Sequence, residues 1–103
     1  ETEKLKKVEY MEQHIGETFE GVISGITQYG LYVELNNTVE GLVHVNSLED
    51  DYYEYVDEAY ELRGQHTGNV YRLGQRVMIR VKGTDRLLRT IDFVLLDGTT
   101  QLW

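Results

Sequence analysis

The chain has 103 residues, of which 41% are hydrophobic and 27% charged, which suits one globular domain and excludes a fibrous or low-complexity chain. It has no cysteine, so a disulfide framework and a thiolate metal site are excluded, and no apolar run approaches the roughly 18 residues of a membrane span. A formal charge of −8 argues against a nucleic-acid partner until its distribution along the chain is considered.

The first predicted element is a helix over 2–15, TEKLKKVEYMEQHI, where Leu5, Val8, Met11 or Glu12, and Ile15 recur at helical spacing and Gly16 follows as a stop. Its apolar stripe is narrow, and alone it would be marginal. The opening ETEKLKKVEY is not a basic start followed by an apolar run, so no secretory leader is expected and the cytoplasm is the expected location.

After Gly16 the period changes to two. Residues 18–28 predict a first strand, with Val22 and Ile26 on one parity and Phe19, Ile23 and Thr27 on the other. Gly21 and Gly25 inside it predict a bend or bulge. The second strand, 30–36, turns Leu31, Val33 and Leu35 inward and Tyr32 and Glu34 outward. Asn36-Asn37-Thr38 suits a hairpin, because Asn tolerates positive φ, and leads to a third strand at 39–45. The stretch 46–75 is too long for a structureless loop. It predicts a helical turn from Ser47 onward, with 48–60 as the helical candidate, and then a small hairpin around GQHTGN. A fourth strand at 76–83 points Val77, Ile79 and Val81 inward and Met78, Arg80 and Lys82 outward, and a fifth at 90–96 points Ile91, Phe93 and Leu95 inward. Five short strands with Gly-marked turns predict a small closed barrel.

Charge is segregated along the chain. Residues 34–61 carry nine acids and no Lys or Arg, whereas 63–89 carry seven bases (Arg63, Arg72, Arg76, Arg80, Lys82, Arg86 and Arg89) against Asp85. A fold that kept these segments on different surfaces would be acidic on one side and basic on the other, and the local field decides where a phosphate docks.

The outward positions carry the functional signal. His44 faces out beside Leu42, on a strand linked by a hairpin to the strand that bears Tyr32. A lone histidine is often a hydrogen-bonded structural residue, and outward aromatics can simply cover an edge. With Tyr29 and Tyr32 nearby, the imidazole instead makes a stacking surface for flat rings, and Arg80, Lys82, Arg86 and Arg89 follow to meet phosphates. Aromatic platforms flanked by cations are what single-stranded nucleic acid requires. Catalytic patterns are weak by comparison. Glu49, Asp50 and Asp51 suit a solvated acidic surface, and His14, His44 and His66 lack metal-ligand spacing. No serine sits in a nucleophile elbow, and neither GQHTGN nor GTDRLLR has the Lys-Ser/Thr of a phosphate loop. Tyr52, Tyr53, Tyr55 and Tyr60 read as packing for the insertion.

Together, GETFEGVISGITQYGLYVEL, VEGLVHVNSL and LGQRVMIRVKGTDRLLRTIDF resemble the S1 domain, an RNA-binding OB-fold, over about 16–96. The insertion LEDDYYEYVDEAYELRGQHTGNVYRLGQRV and the ending IDFVLL are similar to the S1 domain of the ribonuclease R family, which are processive bacterial 3′-to-5′ exoribonucleases. The resemblance implies an all-β fold: a five-stranded OB-fold barrel of S1 type, with a short N-terminal helix and a long insertion between strands three and four. It divides the chain into a helix at 1–15 left from a preceding catalytic domain, an RNA-binding domain at 16–97 and a tail at 98–103. It implies RNA-facing roles for Phe19, Tyr29, Tyr32, His44, Asp85 and Arg89. Where the family often has Phe, this chain has Tyr29 and Tyr32, and either ring stacks. DRLLR lacks the glycine often found between the Asp and the Arg, and Arg89 shares the parity of inward Ile91, so it reaches the RNA face only if the strand begins after it.

The implied partners are single-stranded RNA, the catalytic domain of the parent nuclease and ribosome-associated factors, with no membrane. This chain would hold no catalytic residue and no cofactor, the magnesium of the parent belonging to its catalytic domain. A second expectation, of another class, is a protein-docking barrel that uses the acidic 34–61 segment, since fold alone does not decide between the two. A third, an independent hydrolase, has the least support in the residues.

Overall fold

The computed structural model describes residues 2–48 and 52–96. It contains helix α1 (Thr2–Glu12) and eight strands: β1 (Thr18–Thr27), β2 (Gly30–Leu35), β3 (Glu40–His44), β4 (Tyr53–Val56), β5 (Glu61–Gly64), β6 (Val70–Arg72), β7 (Arg76–Asp85) and β8 (Thr90–Leu95). Five of them close a barrel in the order β1-β2-β3-β8-β7, and β4-β5-β6 form a separate antiparallel sheet. The five predicted barrel strands are all present, the fourth running two residues further than expected, to Asp85.

Alternation fills the barrel. Leu31, Val33, Val43, Ile79, Val81 and Phe93 are essentially fully buried, as the inward parity requires. Closure depends on the parallel pair β3–β8, with Leu42 beside Asp92 and Val43 beside Phe93. The glycine signal in β1 is a bulge between Ile23 and Gly25, after which Gly25 pairs with Tyr32. The extra residue bends the strand, as closing a small barrel demands.

The helix ends at Glu12, short of the predicted Ile15, and a turn leads to Gly16, whose φ of +92° is one that glycine adopts readily. Its apolar stripe is not left unpaired: Val8 and Met11 are buried in the barrel core, because the end of a barrel this small needs a plug. Ile15 lies beyond the helix and is exposed.

The helical expectation for 48–60 is corrected over 52–60, residues 49–51 lying outside the described residues. A 3₁₀ turn occupies Val45–Ser47, so the third strand stops at His44, and Tyr53–Val56 then pairs with Glu61–Gly64 around a turn. β-branched and aromatic residues with an available partner strand favour extended backbone over a helix. The hairpin expected around GQHTGN is present as β5–β6. The tyrosines of the insertion divide: Tyr53 packs on Tyr71 with ring centroids 5.3 Å apart, whereas Tyr52 and Tyr60 are exposed. The sheet is fastened to the barrel by buried Leu62 and by backbone hydrogen bonds from Ile23 N–H to Gln75 O (2.9 Å) and from Gly74 N–H to Ile23 O (2.8 Å). In the β2–β3 turn, Thr38 takes the positive φ, at +67°, rather than either asparagine. Asn37 instead accepts the Val39 N–H through Oδ1 at 3.1 Å, an Asx turn.

Candidate nucleic-acid interface

The outward face of β2, β3 and β8 forms the floor of a groove, and α1 and the β7–β8 turn add further residues to its lining. It encloses about 580 Å³ and is lined by Lys7, Val8, Tyr32, Glu34, Thr38, Glu40, Gly41, Leu42, His44, Asp85, Leu88, Arg89, Thr90, Ile91 and Asp92. That volume accommodates a small flat ligand such as a base.

Tyr32 and His44 are both on this face and both open to solvent, at 38% for Tyr32 and 51% for the His44 side chain. They are diagonal neighbours, since Tyr32 opposes Leu42 and His44 opposes Gly30. Long side chains interact at that offset. The Tyr32 ring lies over Gly25, where the β1 bulge presents backbone without a side chain. His44 Nε2 is 3.3 Å from Asp92 Oδ1 on β8. The carboxylate only accepts, so Nε2 carries the hydrogen.

The β7–β8 turn supplies Arg89 to the lining. Arg89 has a φ of +55° and precedes β8, which begins at Thr90, so the condition for its reaching the groove is met. Asp85 also lines the groove, and its Oδ1 accepts the Leu88 N–H at 3.0 Å, which fixes the turn. The turn is tied to α1 by Arg86, whose guanidinium donates to both oxygens of Glu12 at 2.6 and 2.9 Å. Those hydrogen bonds hold the Glu12 carboxyl below its ordinary pKa and raise that of Arg86. Lys7 donates from α1 to Thr38 O at 3.3 Å.

Of the residues expected to face RNA, the groove therefore gathers Tyr32, His44, Asp85 and Arg89. Tyr29 is 68% exposed in the β1–β2 turn, outside the groove lining but anchored near its His44 end, where its carbonyl accepts the Val45 N–H at 2.8 Å. Arg80 and Lys82 point outward from β7, one strand beyond β8 and outside the lining, with Lys82 at a second bulge between Val81 and Gly83. Phe19 is half-buried opposite Ile79, packs against the core and meets His14 edge-on at 5.9 Å, away from the groove.

Among the described residues, part of the charge segregated along the chain is neutralised by pairing. Arg63 and Arg72 both engage Glu61, a carboxylate only 4% exposed, and the Arg63 hydrogen bonds, with the others, hold its pKa below the ordinary value. Arg76 faces Glu20 and Arg86 faces Glu12. Among the described residues, Arg80, Lys82 and Arg89 remain without an acidic partner. The acidic segment divides too, Glu34 and Glu40 entering the groove while Glu61 is buried. Tertiary pairing brings together acids and bases that sequence order had kept apart.

Of the groove's carboxylates, sequence reasoning named Asp85 and missed Glu34, Glu40 and Asp92 as site residues. Glu34 shares the parity of Tyr32, and Asp92 sits between inward Ile91 and Phe93, so alternation held the signal for both. Nothing in the sequence showed that α1 would bring Lys7 and Val8 to the same place.

Comparison with known proteins agrees with this geometry. A family model described as the S1 RNA binding domain matches residues 12–95. Ribonuclease R 1 of Lactococcus lactis is 42% identical over 102 residues, which cover 99% of this chain and 12% of that protein. Ribonuclease R of Escherichia coli is 42% identical over 93 residues, 89% of this chain and 11% of that protein. The chain thus spans only about an eighth of the curated relatives it matches. Among solved structures, Mycoplasma genitalium RNase R in complex with ribose methylated single-stranded RNA aligns with a TM-score of 0.88 at 26% identity, covering 91% of this chain and 15% of that one. An uncharacterized protein of Methanocaldococcus jannaschii, MJ1198, shares the fold, with a TM-score of 0.54 at 20% identity over 80% of this chain and 90% of that one.

Proposed function

This chain belongs to the S1 RNA-binding domain family, and we propose that it grips single-stranded RNA in the Tyr32–His44 groove as a substrate-holding module of a 3′-to-5′ exoribonuclease of ribonuclease R type. One observation carries the reading: an exposed phenol ring and an exposed imidazole share one open face with Arg89 at its edge. Bases stack on the rings, which is worth about 1–3 kcal/mol each and depends little on sequence. Arg89, and beyond the groove Arg80 and Lys82, meet the phosphates.

Hydrolysis and its magnesium fall to a catalytic domain outside this chain, and α1 is the element that joins the barrel to it. A protein-docking barrel that uses the acidic 34–61 segment is the second reading; three of its acids are committed elsewhere, Glu61 to Arg63 and Arg72, and Glu34 and Glu40 to the groove.

The test is a titration of a short labelled single-stranded RNA with the wild-type chain and with Tyr32→Ala. Weaker binding by the variant supports the groove, whereas equal affinity rejects it. Retention of protein partners after nuclease treatment of a lysate would favour docking.

A further inference from the structure

We propose that the groove selects bases by their hydrogen-bond donors: Glu40 and Asp92 accept from exocyclic amino groups, so the domain binds cytosine- or adenine-bearing RNA better than uracil-bearing RNA. The inference rests on the RNA reading above and adds a base preference to it.

The floor of the groove is ordered in rows. Tyr32, Leu42 and Asp92 are successive partners across β2, β3 and β8, giving an aromatic platform, an apolar step and a carboxylate in one line. Adjacent strands are about 4.8 Å apart. A base lying on Tyr32 and Leu42 therefore brings its edge toward Asp92. In the next row Glu34 and Glu40 are direct partners, two like charges facing each other on one sheet surface. Such a pair is destabilising by itself.

Glu40 is held in place by a specific contact. The Ser24 hydroxyl, at the β1 bulge, donates to Glu40 Oε2 at 2.5 Å and lies 3.3 Å from the Tyr32 carbonyl oxygen. The carboxylate is thereby drawn across β2 to the side of Tyr32. One oxygen of Glu40 is engaged by Ser24 and one oxygen of Asp92 by His44, which leaves an accepting oxygen on each.

Two consequences follow from charge and valence. Phosphates are repelled from a floor that carries Glu34, Glu40 and Asp92, so the RNA backbone runs past Arg89 and the bases point in. A carboxylate accepts and does not donate, so it suits an edge that offers N–H₂. Cytosine offers N4–H₂ and adenine N6–H₂, whereas uracil presents the O4 carbonyl at the position of the cytosine amine. Cytosine and uracil are nearly the same shape and stack alike, so their difference isolates the carboxylates from the platform.

The experiment compares the binding of labelled C10 and U10 oligoribonucleotides to the 103-residue chain at one salt concentration, by fluorescence anisotropy. The wild type is expected to bind C10 roughly tenfold more tightly than U10, the scale of one charge-assisted hydrogen bond. In a Glu40→Gln/Asp92→Asn double variant, whose isosteric amides can donate as well as accept, U10 binding strengthens and the ratio falls to about one. Equal wild-type affinity for C10 and U10 overturns the preference, and an undiminished ratio in the double variant overturns its assignment to these carboxylates. Tyr32→Ala separates the two readings. If it weakens both RNAs while wild type treats them equally, only the base preference fails; if it weakens neither, the groove itself fails.

Discussion

Arg86 and Glu12 are 74 residues apart in sequence and are joined by two hydrogen bonds, of 2.6 and 2.9 Å, that clasp helix α1 to the β7–β8 turn. Glu9 supports the same guanidinium at 4.0 Å. The clasp ties together two elements that line the groove, the helix that supplies Lys7 and the turn that supplies Asp85 and Arg89.

Glu12→Gln tests this in a sign-sensitive way. It removes a negative charge, which by field alone strengthens RNA binding. If the clasp positions the turn, affinity instead falls, by less than in Tyr32→Ala. Anisotropy titrations of both variants at fixed salt distinguish the two directions.

The acid stability of the domain follows from two carboxyls. Glu12 and Glu61 have folded-state pKa values below their ordinary 4.5, each chiefly through hydrogen bonds from arginine. A carboxyl depressed in the folded state contributes stability that is fully present above the unfolded value and is lost as pH falls through the folded one. The melting temperature should therefore hold steady at neutral pH and decline as pH drops below 4.5. Arg86 is shifted upward and stays charged, so it adds no further step. In Glu61→Gln the acid decline becomes shallower and the neutral-pH melting temperature drops, because Arg63 and Arg72 lose their shared partner. Thermal melts across the pH series read both effects.

Tyr32→Ala should cost about 1–3 kcal/mol of RNA binding, roughly 5- to 150-fold, with little change in fold. Its ring reaches solvent on the outward face of β2 and lies over Gly25 rather than in the barrel core, so far-UV circular dichroism should match the wild type. A calorimetric titration gives the affinity, and a loss below about threefold counts against stacking on this ring.

Salt dependence separates unpaired cations from paired ones. Arg89→Ala should lower the slope of log affinity against log salt by about 0.7, the single-strand value per phosphate contact. Arg72→Ala, whose guanidinium is engaged with buried Glu61, should leave that slope unchanged while lowering stability. Titrations at three or four salt concentrations give both slopes.

Gly41 sits where β3 leaves no room for a side chain against β8. A Cβ there would lie 2.7 Å from Phe93 Cε2 and 2.8 Å from Ile91 O. Gly41→Ala should destabilise by about 1–3 kcal/mol or more, the cost of overpacking, seen as a lower denaturant midpoint.

Alternation of side chains along the sequence was enough to predict the five barrel strands, their inward residues and the outward direction of Tyr32 and His44, and Gly21 and Gly25 were enough to predict a bend or bulge in the first strand. These properties are local: a period of two and a glycine without Cβ act within a few residues. The insertion was misread for the same reason. Over 48–60 the local preferences allow a helix, and the deciding term is pairing with Glu61–Gly64, which a residue-by-residue reading does not contain. Only the tertiary structure decided which charges remain available, because Glu61 meets Arg72 and Glu12 meets Arg86 across long stretches of chain. It also decided that Phe19, Arg80 and Lys82 stand outside the groove while Lys7, Glu40 and Asp92 stand within it. Barrel closure sets those distances, and closure is a property of all five strands together.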